Sequence, residues 1–222
     1  MYRDNREDIQ DELEYSFISL FSKKLRIGVI GGGKAGAIKI NHFVKNNCYV
    51  EVLSKDFSKD ILELSNNSDN LKLIYREFDY EFLRDKHIII IALEDNKIKE
   101  LIKEYCDKNY KIYIDSTDFK EGMAIVPAER STKTISFALN TKGGNPKGAV
   151  WAADKISKVL RDYDDYIDFT TKVRNKAKSI PEYKSEIIKF IFTDEFKNDF
   201  DKGEEINSIK SRFPEEVINK LF

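Results

Sequence analysis

Cysteine and histidine are scarce, with two of each in 222 residues. Cys48 and Cys106 lie far apart and form no metal-ligand or redox spacing. His42 and His87 have no cysteine or histidine beside them in the sequence, so no zinc or other metal site is expected. Reduced thiols in a cytoplasmic protein are the expectation. Long apolar runs are also missing: none reaches the roughly 18 residues that a membrane-spanning helix needs. The stretch from Met1 to Tyr15 is polar and acidic and does not read as a secretory leader. Charge of one sign is absent too, since 38 Lys and Arg nearly cancel 39 Asp and Glu. That balance excludes a general pull toward nucleic acid or an anionic membrane. No internal repeat or low-complexity segment occurs.

What is present is an alternation. Apolar, β-branched runs at Leu25 to Ile30, Tyr49 to Leu53, Leu71 to Tyr75, His87 to Ala92 and Lys111 to Ile114 read as strands. The run HIIIIA is apolar throughout, which suits a strand covered on both faces of a parallel sheet. Between the runs, Lys34 to Lys45 and Ile98 to Tyr105 carry helical spacing. Strand and helix therefore alternate to about Asp115, the doubly wound pattern. The rhythm then changes. Met123 to Val126 and Thr134 to Leu139 read as paired strands, and Thr141 to Pro146 as a turn. From Gly148 onward the chain is helical and charged, with Pro181 and Pro214 marking helix starts or breaks. The expected organisation is a Rossmann-type α/β domain over residues 1–118, a small β-containing linker over 119–148 and a helical C-terminal domain over 149–222.

The segment IGVIGGGKAG contains G-x-G-x-x-G as Gly31, Gly33 and Gly36. The first glycine allows a tight turn out of the strand. The second lets backbone approach a pyrophosphate, and the third lets helix and strand pack closely. Free N–H groups and the partial positive charge of the new helix favour phosphate. The motif follows a strand, opens a helix and precedes a second strand, which makes Gly31, Gly33, Lys34, Ala35 and Gly36 the candidate dinucleotide cradle. The second strand ends Leu53-Ser54-Lys55-Asp56. Ser54 could bond a ribose hydroxyl and Lys55 could tolerate a 2′-phosphate. The cofactor is read as NAD, with NADP left open.

The ordered set of motifs resembles the precorrin-2 dehydrogenase family, the NAD-dependent part of sirohaem synthase. Tyr15-Ser16-Phe17-Ile18 is similar to that family's entry segment. Gly31 to Lys39 is similar to its GGG…A-x-K loop and helix. Ile91-Ala92-Leu93-Glu94-Asp95 resembles its A-A-T-D-D, and Ile112-Tyr113-Ile114-Asp115 its N-V-x-D. Val126-Pro127-Ala128 resembles F-P-A, and Ala138 to Pro146 resembles S-T-G-G-x-S-P. The likeness spans about residues 15–160. Ile112, Ser116, Ile38 and Lys142 depart from the pattern.

The resemblance implies NAD-dependent oxidation of precorrin-2 to sirohydrochlorin, in some members with ferrochelatase activity. It also implies a homodimer formed through the segment between nucleotide domain and tail. A cross-subunit strand or an intrachain hairpin explains Thr134 to Leu139 equally well. Asp115 ends the last parallel strand and is the candidate general base. Ala92, Leu93 and Glu94 are expected on the nicotinamide side, with Glu94 or Asp95 capping the next helix. Arg130, Lys133, Lys142 and Lys147 are candidates to meet the carboxylates of a tetrapyrrole substrate. Gly143, Gly144 and Asn145 form a candidate second anion cradle. Two other readings compete. One is a nucleotide-binding module without catalysis, such as a redox sensor. The other is a ketoreductase, disfavoured because Tyr105 has no lysine four residues on.

Overall fold

The computed structural model describes residues 13–222, so most of the polar stretch from Met1 to Tyr15 lies outside the described residues. The chain forms two compact units, Tyr15–Val126 and, with residues 13 and 14, Pro127–Phe222.

The first unit is built on five parallel strands: β1 (Arg26–Ile30), β2 (Tyr49–Ser54), β3 (Leu71–Tyr75), β4 (Ile88–Ile91) and β5 (Ile112–Asp115). Their order across the sheet is β3-β2-β1-β4-β5. Helices α1 (Lys34–Lys45), α2 (Lys59–Asn66) and α3 (Asn96–Lys108) connect them. A 3-10 turn, Tyr80–Leu83, stands between β3 and β4, where a full crossover helix is usual. The apolar run of β4 splits by the period of two that a strand imposes. Ile88 and Ile90 join Ile27, Val29, Val50 and Val52 in one core layer with Ile40, Phe43 and Val44 of α1 and Ile61 of α2. Ile89 and Ile91 join Ile30 and Leu53 in the other, with Phe82, Leu83 and with Ile102 and Cys106 of α3. Both faces are thus covered, which is why the strand carries no polar residue.

The first unit also buries a charge pair. Glu51 on β2 faces the second layer, and its Oε2 lies 2.7 Å from Lys86 Nζ, both side chains being under a tenth exposed. Lys86 also pairs with Asp85 and lies over the Phe82 ring. The short β3–β4 connection leaves this part of the sheet to a buried ion pair.

In the second unit, β6 (Ala128–Ser131) and β7 (Ser136–Leu139) form an antiparallel hairpin with Ala128 opposite Leu139. This corrects the expected pairing, since Met123–Val126 is not the partner of the second strand. That segment belongs to the first unit, where the Ala124 N–H donates to the Tyr113 carbonyl at 3.1 Å and Ala124 and Val126 pack on the core. Burial against the sheet takes the apolar residues, and the polar Ala128–Ser131 pairs through its backbone and through a hydrogen bond between the Ser131 and Ser136 hydroxyls at 2.9 Å. Helix α4 (Pro146–Arg161) packs on the hairpin. Helices α5 (Asp164–Ala177), α6 (Pro181–Phe190), α7 (Asp194–Asp201), α8 (Glu205–Arg212) and α9 (Glu215–Leu221) follow. They enclose a core of Tyr166, Val173, Ile187, Phe190, Phe196, Ile209 and Val217. Pro181 is the first residue of α6 and Pro214 caps α9, as the sequence predicts.

One carboxylate fastens the hairpin to these helices. Asp164 accepts from the Thr132 and Thr134 hydroxyls at 2.6 Å each and from the Lys133 and Thr134 N–H groups at 3.1 and 2.8 Å. Burial opposes its ionisation, but these donors outweigh it and hold the carboxyl far below the usual range.

Among the described residues, no helix is long and apolar enough to cross a membrane.

Candidate dinucleotide site

β1 runs into Gly31, whose φ of +114° is open to glycine and strained for other residues. Its N–H donates to the Leu53 carbonyl at 2.9 Å, and a Cβ here would overlap the Ala92 carbonyl oxygen. A Cβ on Gly36 would sit 3.2 Å from Ala92 Cβ and from the Gly31 carbonyl, so this glycine lets α1 lie close against the ends of β1 and β4. Gly33 differs from both. It caps α1 with extended backbone and no side-chain hydrogen bond, and a Cβ on it would meet nothing within 4 Å. Lys34 and Ala35 follow, both exposed. The first turn of α1 therefore presents backbone N–H groups to open space with no protein acceptor capping them. That is the arrangement a diphosphate needs.

The loop after β2 closes one side. Ser54 is half-buried, and its Cβ lies 3.0 Å from where a Gly32 Cβ would stand. The Ser58 N–H donates to the Gly32 carbonyl at 2.8 Å. Lys55 is exposed and pairs with Glu77 at 2.8 Å, which raises its pKa. On the other side, Ala92 is buried, and its N–H donates to the Ile30 carbonyl at 2.8 Å. Leu93 is half-buried and Glu94 exposed. Asp95 is the helix cap, accepting from the Lys97 and Ile98 N–H groups at 2.9 and 3.2 Å. Gly31 to Gly36 and Ala92 to Glu94 thus meet where the strand order reverses between β1 and β4, the switch point at which open α/β sheets bind ligands.

Asp115 stands at the end of β5, as read from the sequence, but its carboxylate is enclosed. Its Oδ1 accepts from the Thr117 N–H and hydroxyl at 2.9 and 2.8 Å and from the Asp118 N–H at 3.0 Å. Its Oδ2 lies 3.0 Å from Lys99 Nζ and 3.6 Å from Lys103 Nζ. Burial alone would raise its pKa. The Asp118 and Thr117 bonds and Lys99 overcome that and hold it at about 2. Lys103 also meets Glu100 and Glu121, each at 3.3 Å. The sequence reading missed this lysine pair. Its signal was there: two lysines four residues apart share the inner face of a helix otherwise lined by Ile102 and Cys106. The neighbouring Ser116 donates its N–H to the Ile91 carbonyl at 2.9 Å, and its Oγ is buried without a hydrogen-bond partner.

The second unit holds the remaining candidates. Arg130 is bound to Asp154 of α4 at 2.7 Å and to the Glu129 carbonyl at 2.7 Å. Lys133 pairs with Asp165 at 3.2 Å. Lys142 and Gly143 are exposed, and Gly144 has a φ of +66°. Asn145 caps α4 by accepting from the Gly148 N–H at 2.8 Å, and Pro146 has no N–H to offer. This helix start is closed by the protein's own cap, unlike that of α1.

Residues 18–128, half of the chain, match the family model described as "Putative NAD(P)-binding". The chain is 27% identical over 183 residues to a protein of Methanocaldococcus jannaschii named "Putative precorrin-2 dehydrogenase", covering 77% of this chain and 86% of that protein. It is 25% identical over 118 residues to a precorrin-2 dehydrogenase of Priestia megaterium, covering 53% of this chain and 57% of that enzyme. With a siroheme synthase of Mannheimia succiniciproducens it shares 24% identity over 151 residues, covering 68% of this chain but only 32% of that longer protein. Among solved structures it superposes on SirC, a precorrin-2 dehydrogenase, with a TM-score of 0.67 and 21% identity, covering 89% of this chain and all of the other.

Proposed function

Because this chain belongs to the NAD(P)-binding family matched over residues 18–128, we propose that it is an NAD-dependent dehydrogenase oxidising precorrin-2 to sirohydrochlorin in sirohaem biosynthesis. The observation that carries this reading is the uncapped start of α1 at Gly33, open to solvent at the sheet's switch point. The named relatives supply the substrate class.

Oxidation of precorrin-2 removes a hydride and a proton. Bound at Gly31 to Gly36, NAD would supply the hydride acceptor. The chain's own residues do the rest. The N–H groups of Gly33 to Gly36 hold the diphosphate. Ser54 meets the adenosine ribose. Ala92 and Leu93 line the nicotinamide side and keep water from it. Arg130, Lys142 and the Gly143 to Asn145 turn remain the candidates for substrate carboxylates.

Asp115 is the candidate general base by position, but its surroundings favour a different role. A carboxylate held at about 2 is ionised at any working pH and is a feeble proton acceptor. Its three donors and two lysines make it the tie between β5, α3 and the Ser116–Asp118 turn at the edge of the crevice. We assign it as a positioning residue, with the proton that the substrate loses passing to water.

We further propose that the chain works as a homodimer in the cytoplasm, where the buried thiols of Cys48 and Cys106 stay reduced.

The test measures NAD+ binding by calorimetry and precorrin-2 oxidation by NADH absorbance on the same preparation. Binding with turnover is the expected result. Binding without turnover would make the chain a nucleotide-binding module, and no binding would remove the cofactor reading altogether. Asp115→Asn separates its two roles. A base predicts lost turnover with unchanged melting temperature. A tie predicts a lower melting temperature, with turnover recovering when the variant is assayed in a stabilising osmolyte.

A further inference from the structure

One polar group beside the nicotinamide end of the site is unspent, and the inference drawn from it rests on the cofactor reading above. Ile30, Ile91 and Asp115 are register partners on three adjacent parallel strands. Gly31, Ala92 and Ser116 are therefore the first residues beyond the ends of β1, β4 and β5, side by side. Their N–H groups carry the sheet one step further. Gly31 donates to the Leu53 carbonyl at 2.9 Å, Ala92 to the Ile30 carbonyl at 2.8 Å and Ser116 to the Ile91 carbonyl at 2.9 Å. Ser116 is thus fixed in line with the glycine turn, two strand spacings or about 10 Å from Gly31. A dinucleotide whose diphosphate rests at Gly31 to Gly36 crosses the switch point of the sheet. With its adenosine half directed to the end of β2, its nicotinamide half runs over the ends of β4 and β5, where Ser116 stands.

The turn that carries Ser116 is held by its own bonds. Asp115 Oδ1 accepts from the Thr117 and Asp118 N–H groups and from the Thr117 hydroxyl. Lys99 Nζ donates to that hydroxyl oxygen at 2.6 Å. The Asp118 carboxylate accepts from the Lys120 N–H at 3.2 Å. Ser116 is the exception, since its Oγ is buried and has no hydrogen-bond partner among the described residues. A buried hydroxyl left unbonded is costly, and native proteins leave few of them. The residue as a whole is half-buried, and a serine side chain has several staggered rotamers, so Oγ can turn without moving the tethered backbone. A carboxamide offers a carbonyl acceptor and N–H donors, and a serine hydroxyl both donates and accepts. Ser116 is also a position at which the sequence departs from the precorrin-2 dehydrogenase pattern, so the contact belongs to this chain and not to the pattern.

We propose that the Ser116 hydroxyl bonds the carboxamide of the nicotinamide ring, which makes Ser116 a further cofactor-binding residue at the end of β5. The Asp115, Thr117 and Lys99 knot positions it.

The experiment titrates the whole protein and its Ser116→Ala variant by calorimetry with NAD+ and with ADP-ribose, which lacks the nicotinamide. One lost hydrogen bond should weaken NAD+ binding to the variant by about three- to tenfold. ADP-ribose should bind parent and variant alike, which also shows that the variant is folded with its diphosphate cradle intact. An unchanged NAD+ affinity would overturn the proposal and leave the cofactor reading standing. Equal weakening of NAD+ and ADP-ribose would overturn it too, because the hydroxyl would then support the fold of the site and not the ring. A parent protein that binds neither ligand would strike the cofactor reading and this proposal with it.

Discussion

A methyl group at Gly33 would meet no protein atom within 4 Å, whereas one at Gly31 would overlap the Ala92 carbonyl on backbone with a φ of +114°. The two glycines of one motif should therefore fail differently. Gly31→Ala is expected to cost about 1–3 kcal/mol of stability through strain and overlap. Gly33→Ala should leave the melting temperature alone and weaken NAD+ binding by about tenfold or more, because the methyl group stands where the diphosphate would. Thermal melts and calorimetry on both variants check this, and equal loss of stability would contradict it. Asp115 also has a signature in pH. Its pKa is about 2 in the folded chain, below the value of about 3.9 of a free side chain. Its depressed value contributes stability that is present above about pH 4 and lost as pH falls through about 2, on the order of 2 kcal/mol. Urea melts across that acid range should show Asp115→Asn less stable than the parent near neutrality, with the difference shrinking toward pH 2. A constant difference would mean that the carboxylate's charge is not what stabilises.

At the scale of elements, the short link between β3 and β4 has a visible consequence. Where a longer helix would shield β2, Glu51 and Lys86 lie buried together, under a tenth exposed and 2.7 Å apart. Burial raises the Glu51 pKa, and its bond and attraction to Lys86 more than reverse that shift. Removing one partner strands the other charge, so Lys86→Met should destabilise by about 3 kcal/mol. The double variant Glu51→Leu with Lys86→Met should regain most of that loss, since apolar pairs often replace buried ion pairs at little cost. Denaturant titration of the parent, both single variants and the double variant gives the coupling directly, and simple additivity would argue against a pair. A glutamate in the middle of YVEVLS gave no sign of this partner, because Lys86 lies 35 residues on and meets it only through the fold.

At the scale of the whole molecule, the second unit presents apolar surface beside its hairpin. On α4, Trp151 is 66% and Val159 59% exposed, with Ile156 39% exposed between them. A helix packed on a two-stranded sheet while turning such residues to solvent suits a face that meets a second copy. Light scattering should give a dimer, and Trp151→Glu with Val159→Glu should shift it to monomer. A parent that is monomeric at every concentration would rule the dimer out.

Periodicity and composition alone determined the local elements. The range Lys34–Lys45 for α1, the strand Leu71–Tyr75, the glycine turn and the helix starts at prolines all follow from spacing and steric rules within a few neighbouring residues. The position of Asp115 at a strand end was legible for the same reason. Its enclosure by Lys99, Lys103 and Thr117 was not, nor was the anchoring of the hairpin by Asp164, nor the placement of Met123–Val126 along the sheet instead of in the hairpin. These were decided by which side chains distant in sequence share one buried space. There the cost of an unpaired charge or an exposed apolar residue is settled between elements and not within one.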